Sequence, residues 1–179
     1  MIKVNKSIAG VTLVEALIWF AIFAAVLYGV FSLYSQSRNA GNASTVNKEL
    51  STIFSQTEQL FATEDTAQLT DGGNSLALNL GIYPKSLKSS ANGSSINNVF
   101  GGAVTITGET PSGFTVTYNR VPTGEVCANI IRAQKAVGWD SVNGMNYDKD
   151  YKISDANTLC GPSGNGTLDL VFVRANTNS

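Results

Sequence analysis

Few residues in this sequence are equipped to do chemistry, and the most exposed to physical constraint is a carboxylate. Glu15 stands in residues 11–33 (VTLVEALIWFAIFAAVLYGVFSL), where it is the only charged group; the other polar groups are the neutral hydroxyls of Thr12 and Ser32 and the phenol of Tyr28. An ionised carboxylate in an apolar helix costs about 2.5–3.5 kcal/mol at the bilayer centre and less near an interface, so its chemistry is the pairing with a cation. Cys127 and Cys160 are the only cysteines. They can form one disulfide, remain two buried thiols or, with further ligands, hold a metal. Other catalytic types are missing. The sequence has no His, which removes the commonest general base, the Ser/His and Cys/His nucleophile pairs and most catalytic zinc sites. Asp140, Asp148, Asp150 and Asp155 do not follow the Asp-x-Asp-x-Asp-Gly spacing of a calcium loop. Phe100-Gly101-Gly102 is not followed by the pattern of a phosphate or dinucleotide loop and reads as a turn. These residues predict no enzyme, no catalytic residue, no metal and no cofactor.

The elements that must position Glu15 and the cysteines follow from length and patterning. A chain of 179 residues with 43% hydrophobic content supports one domain with a real core. Charged residues are only 14%, against about 25% in ordinary soluble domains, and Gly, Asn, Ser and Thr take their place. A net charge of −1 gives no electrostatic reason to expect nucleic acid as a partner. Residues 11–33, as a helix, span about 35 Å, enough for a hydrocarbon core of about 30 Å. Lys3 and Lys6 in the preceding MIKVNKSIAG hold the N-terminus in the cytoplasm and send everything after Arg38 across the membrane. A secretory signal peptide has an apolar region of about 7–15 residues and a small-x-small cleavage site, and neither describes this run. A plain anchor fits the length but leaves Glu15 without a role.

Gly10 followed by Val11-Thr12-Leu13-Val14-Glu15, with lysines before and an apolar helix after, resembles the N-terminus of a type IV prepilin. The resemblance implies cleavage between Gly10 and Val11 by a membrane prepilin peptidase and methylation of the new amine. Glu15 becomes the fifth residue of the mature chain and neutralises the Val11 amine of a neighbouring subunit. Burying either charge alone is expensive, while a buried pair is tolerable and sets the stagger between subunits. No Pro interrupts the helix, and Gly29 is its weak point, at a cost of about 1 kcal/mol relative to Ala.

Beyond residue 33 the helical period persists. Val46, Leu50, Ile53, Phe54, Thr57, Leu60 and Phe61 recur at spacings of three and four, with Asn47, Lys48, Ser51, Ser55 and Glu58 opposite. One helix over residues 11–62 is expected, ended by Glu64-Asp65 and then Asp71-Gly72-Gly73-Asn74. Residues 76–83 form an apolar stretch stopped by Pro84, and residues 85–98 a polar loop. Residues 103–107 and 114–118 form a hairpin. A helix capped by Thr123 carries Val126, Cys127, Ile130, Ile131 and Gln134 and ends at Gly138. Residues 139–159 read as irregular, and residues 168–173 as a closing strand.

For a chain exported across the membrane, Cys127 and Cys160 read as one disulfide, with two buried thiols as the alternative. A loop of that length contributes about 4 kcal/mol in the chain-entropy model. The arrangement also resembles type IV pilins, in which a C-terminal disulfide delimits an exposed loop region. The head is most similar to the type IVb branch: toxin-coregulated, bundle-forming and conjugative thin pilus subunits.

The expected fold is therefore α+β: a long N-terminal helix, apolar in its first half, packed on an antiparallel sheet of four to six strands, with a disulfide-bonded C-terminal loop region. Residues 1–10 are a leader, 11–35 the apolar helix and 36–179 the head. The resemblance implies the major subunit of a filament for adhesion, aggregation or conjugative contact. The filament is a helical homo-oligomer, served by an inner-membrane platform with its ATPase and an outer-membrane secretin. The precursor belongs to the inner membrane and the pilus to the outside of a Gram-negative bacterium. A minor pilin or type II secretion pseudopilin shares the Glu15 logic, although major pseudopilins usually lack the disulfide. A monomeric membrane-anchored binding module is the reading of another class.

Overall fold

A computed structural model describes residues 12–89, 95–164 and 166–175. The chain divides into two compact units, Met1–Asn39 and Ala40–Ser179. Helix α1, Leu13–Leu60, runs through 48 residues and contributes to both.

Within the first unit the helix is apolar on every side. An 18-residue window has a mean hydropathy of 2.3 and is 0% buried, so this helix is long and apolar enough to cross a membrane. Trp19 is 65% exposed and Phe20 73%.

In the second unit the character of α1 changes. Ala43, Val46, Leu50, Ile53 and Thr57 lie buried along one stripe, and Phe61 continues it just past the helix. Lys48, Ser55 and Glu58 remain exposed on the other side. Phe54 is only partly buried and Leu60 is 40% exposed, so the stripe is narrower than the periodicity suggested.

The stripe faces a five-stranded antiparallel sheet of order β3-β4-β7-β5-β6, made by β3 Val104–Glu109, β4 Gly113–Pro122, β5 Ser141–Val142, β6 Met145–Asn146 and β7 Thr167–Arg174. Register aligns its inward side chains into rows. Ile106 pairs with Val116, Val116 with Phe172 and Phe172 with Val142. A second row joins Val104, Tyr118 and Leu170. Every one of these residues is buried, as period-two alternation requires of a sheet with one covered face. Phe54, Phe114, Trp139 and Phe172 pack as tilted and edge-on rings at 4.8–5.7 Å. The expected hairpin at residues 103–118 is thus present. Strand β7, expected to close the sheet, lies between β4 and β5 instead.

Several expectations are corrected. Asp71-Gly72-Gly73-Asn74 does not terminate a helix but lies inside α2, Gln68–Asn79. Leu69 and Ala77, eight residues apart on one face, are fully buried, and this packing outweighs the propensity cost of two glycines. The loop at residues 85–98 holds a two-stranded ribbon, β1 Lys88–Ser89 and β2 Ile96–Asn97. Thr123 does not cap the next helix, α3 Glu125–Gln134. The N-cap is Gly124 at φ 78°, Ser163 Oγ accepts the Glu125 N–H at 3.3 Å, and Thr123 donates to the Gly166 carbonyl. Residues 139–159, expected to be irregular, contain β5, β6 and most of α4, Ile153–Cys160.

One edge of the sheet is closed by side chains. Thr70 of α2 both donates to the Gly108 carbonyl at 2.8 Å and accepts the Gly108 N–H at 2.9 Å. Thr66 donates to the carbonyls of Glu109 and Gly113. A Cβ on Gly108 would lie 1.6 Å from the Thr66 carbonyl oxygen, whereas one on Gly29 meets nothing within 4 Å. Gly108→Ala should therefore lower stability by about 1–3 kcal/mol or more, the cost of an overpacked site, while Gly29→Ala leaves the head unchanged. Urea midpoints of the full chain in detergent would measure both.

Candidate functional site

The first turn of α1 is built around Thr12. Its hydroxyl accepts the Glu15 N–H at 3.3 Å and its carbonyl accepts the Ala16 N–H at 3.0 Å, the arrangement of an N-cap. In an apolar medium this matters more than in water, because an orphaned backbone donor there has no substitute partner. The Glu15 side chain is exposed and forms no ion pair among the described residues. It lies at the positive end of the helix dipole, which favours a negative charge in the first turn. Gly10 and Val11, the expected processing site, lie outside the described residues. Gly29 sits in the middle of α1, which continues through it as regular helix.

At the other end of the sequence, Cys127 on α3 and Cys160 at the close of α4 form a disulfide with Cα atoms 5.7 Å apart. Of the alternatives left open by the sequence, the disulfide is the one realised. Both sulfurs are buried, and around them the Gly124 N–H bonds the Cys160 carbonyl at 3.2 Å. The acidic residues of the enclosed loop serve backbone. Asp148 accepts the N–H groups of Asp150 and Tyr151, and Asp155 accepts that of Lys152. Asp140 accepts the Ala175 N–H and pairs with Arg174, which also pairs with Glu58 of α1. Phe100-Gly101-Gly102 is a turn held by buried Asn98, whose Oδ1 accepts the N–H groups of Phe100 and Gly102.

Two buried polar connections were not foreseen from the sequence. Glu49 is 1% exposed and its Oε2 accepts the Tyr118 hydroxyl, while Oε1 is buried without a partner. Its signal was present: Glu49 stands three residues after Val46 and four before Ile53, on the buried stripe. Gln134 is fully buried and joins α3 to α1 and to the connection before β5. Its Nε2 donates to the carbonyl and Oδ1 of Asn47 at 3.3 and 3.1 Å, and its Oε1 accepts the Trp139 indole N–H at 3.0 Å. Nothing short of tertiary structure could have paired Gln134 with Asn47. Burial pushes the Tyr118 hydroxyl well above its ordinary range, and the Glu49 carboxylate beside it adds to the rise. Burial likewise raises Tyr83, against a lowering hydrogen bond to Ile106 backbone, and Tyr147, which also faces Tyr151.

A helix that is apolar in its first half, packs its second half on an antiparallel sheet and precedes a disulfide near the C-terminus defines a pilin. Residues 40–174 match the family described as PilS N terminal, and the chain belongs to that family. Its structure is similar to the crystal structure of type IVb pilin from Salmonella typhi. The TM-score is 0.54 at 21% identity, over 72% of this chain and 97% of that one, a likeness of fold. No curated protein matches the sequence. The resemblance to the type IVb branch, drawn from the layout of the head, is thereby upheld. Pilins are structural subunits of a pilus rather than enzymes.

Two outcomes follow for the head. The Cys127→Ser, Cys160→Ser double variant should lose about 4 kcal/mol, the entropy of a 33-residue separation, and the wild type should show the same loss in reductant. Calorimetry with and without dithiothreitol would test this. Folding also holds Tyr83, Tyr118 and Tyr147 neutral above the pH at which their unfolded counterparts ionise. The unfolded chain then binds fewer protons, so stability is full below about pH 10 and falls as pH rises beyond it. Tyrosinate absorbance from these three should emerge together with loss of the near-ultraviolet circular dichroism, not before it.

Proposed function

We propose that this chain is the precursor of the major subunit of a type IV pilus, polymerising through its N-terminal helix into a surface filament for adhesion, aggregation or conjugative contact. The observation that carries the reading is the segment at residues 13–33, exposed on every face, with Glu15 as its single charge. On this reading residues 1–10 are a leader, 11–35 cross the inner membrane before assembly and form the filament core after it, and 36–179 are the head. Prepilin peptidase cuts between Gly10 and Val11, and the methylated Val11 amine pairs with Glu15 of the next subunit.

Assembly is a change of solvent. Lipid tails and helix surfaces are about equally apolar, so moving from one to the other supplies little hydrophobic gain. Packing and the Val11–Glu15 pair must then direct association, and Thr12, by satisfying the Glu15 N–H, supports that turn. A head-to-tail contact between identical subunits does not close on itself unless its rotation does, and a filament results. The partners this mechanism calls for are prepilin peptidase, an inner-membrane platform driven by an ATPase, and an outer-membrane secretin in a Gram-negative envelope.

The decisive experiment is intact mass and N-terminal peptide analysis of fibres sheared from cells, alongside a Glu15→Ala strain. The expected result is a chain beginning at N-methylated Val11 in the wild type and no fibres in the variant. A surface protein that still begins at Met1, or fibres undiminished in Glu15→Ala, would overturn the proposal.

A further inference from the structure

Arg38 has no role in what has been described, and its position is unusual. Between Glu15 and Lys48 it is the only charged residue in the sequence. On the membrane-spanning reading it follows the apolar segment on the translocated side, where flanking cations are less common than on the cytoplasmic side. It is exposed and forms no ion pair among the described residues.

Its surroundings supply a pattern. The guanidinium lies over the Tyr34 ring, 5.9 Å from the centroid. Phe31, Tyr34, Ser35, Arg38 and Asn39 line one concave patch on the helix. Spacings of three and four place Phe31, Tyr34 and Arg38 in order along one face. At 1.5 Å per residue Tyr34 lies about 5 Å and Arg38 about 10 Å beyond Phe31. An apolar ring, an amphipathic ring and a cation in that order reproduce the gradient from acyl chain through the glycerol level to phosphate. The rise from Glu15 to Arg38 is about 35 Å, against a hydrocarbon core of about 30 Å. With Glu15 near one edge of the hydrocarbon, Arg38 reaches the headgroups of the other leaflet.

We infer that Arg38, braced by Tyr34 and flanked by Ser35 and Asn39, binds the phosphate of an anionic phospholipid in the distal leaflet of the membrane. The inference rests on the membrane-spanning reading proposed above. The planar guanidinium fork matches phosphate oxygens two at a time, and the Ser35 hydroxyl and Asn39 amide add donors on the same patch. Tyr34, one turn closer to the hydrocarbon, belongs at the interfacial depth where amphipathic rings concentrate. A lipid rather than free phosphate is the ligand because the apolar Phe31 end of the patch has use only for an acyl chain. Held there, the precursor is fixed in depth and rotation, and the depth of Glu15 is fixed with it.

The test uses the full chain in nanodiscs of phosphatidylcholine mixed with phosphatidylglycerol, released in a mass spectrometer so that retained lipids can be counted. Wild type should retain phosphatidylglycerol in preference to phosphatidylcholine. Arg38→Gln should lower that retention by about tenfold, the loss of one charge-assisted contact. Arg38→Lys should keep part of it, since lysine retains the charge without the fork. Equal retention in wild type and Arg38→Gln overturns the inference. So does an Arg38→Gln strain that makes no fibres while its protein retains phosphatidylglycerol as before, because the partner of Arg38 is then a second copy of the chain. Alkaline carbonate extraction of wild-type membranes separates the two levels of failure. Release of the chain removes the membrane-spanning reading itself, whereas an integral chain without lipid preference removes only the headgroup site.

Discussion

The molecule is organised by an apolar surface that water cannot be asked to solvate. All the large side chains at residues 13–33 are at least 40% exposed. Burying one such side chain is worth about 1.5–3 kcal/mol. Together they exceed the roughly 5–15 kcal/mol by which a whole domain is stable. No contribution from the head could offset that exposure in water. The segment therefore requires a second solvent, lipid or other helices, and this requirement explains why one continuous helix carries two unlike surfaces. The apolar half needs no pattern, because its surroundings are apolar on every side. The half that belongs to the head needs a stripe, because only one side of it is covered.

A stripe alone leaves a helix free to slide or turn by small amounts, since apolar contact has no direction. Directional contacts remove that freedom. Tyr118 reaches Glu49, Gln134 reaches Asn47, and Arg174 reaches Glu58, so strands β4 and β7 and helix α3 each hold α1 by a named polar group. The Glu49 bond lies deepest. A buried carboxylate with one oxygen satisfied and the other not is costly relative to an apolar side chain, so what it contributes is specificity of register rather than stability. The disulfide acts within the C-terminal part of the head. It ties α3 to α4, and with the backbone bonds about Gly124 and Gly166 it fixes the two ends of the segment that carries β5 and β6.

What was legible in the sequence follows from how local each cause is. The apolar run, the stripe from Val46 to Phe61 and the alternating hairpin are periodicities, and they appeared at nearly the expected residues. Two further features carry local signals of their own. Asn143-Gly144 is a strong mark of a tight hairpin, and it turns β5 into β6 with φ of 46° and 78°. Glu49 sat in phase with the stripe. The remaining differences are tertiary in origin. Gly72-Gly73 reads as a breaker until Leu69 and Ala77 are seen to be buried by the sheet. Thr123 reads as a cap until Ser163, 38 residues away from Glu125, takes the bond. Strand β7 was recognisable as a strand, but strand order depends on which partners a chain finds, and a single sequence does not carry that. The N-terminal motif was the most informative stretch for function because its constraint is chemical. A lone carboxylate in an apolar helix demands a partner whatever the fold around it.

The two charges between Val11 and Asn39 divide the work of choosing a partner. Glu15 stands at the start of the segment and Arg38 just past its end, about 35 Å apart along the axis. The apolar side chains between them, from Ala16 to Leu33, are indifferent to whether their neighbour is a lipid tail or a helix. On the proposed reading, a subunit leaving the bilayer gains an amine for Glu15 and surrenders a phosphate from Arg38. The apolar term nearly cancels between the two environments, so this exchange of polar partners at the two ends sets the balance between membrane and filament. A weak hold at Arg38 favours extraction, and a strong one keeps a pool of precursor at the depth from which Glu15 can be matched. On that reading the long apolar surface between them makes the transfer possible, and the two charges at its ends give it direction.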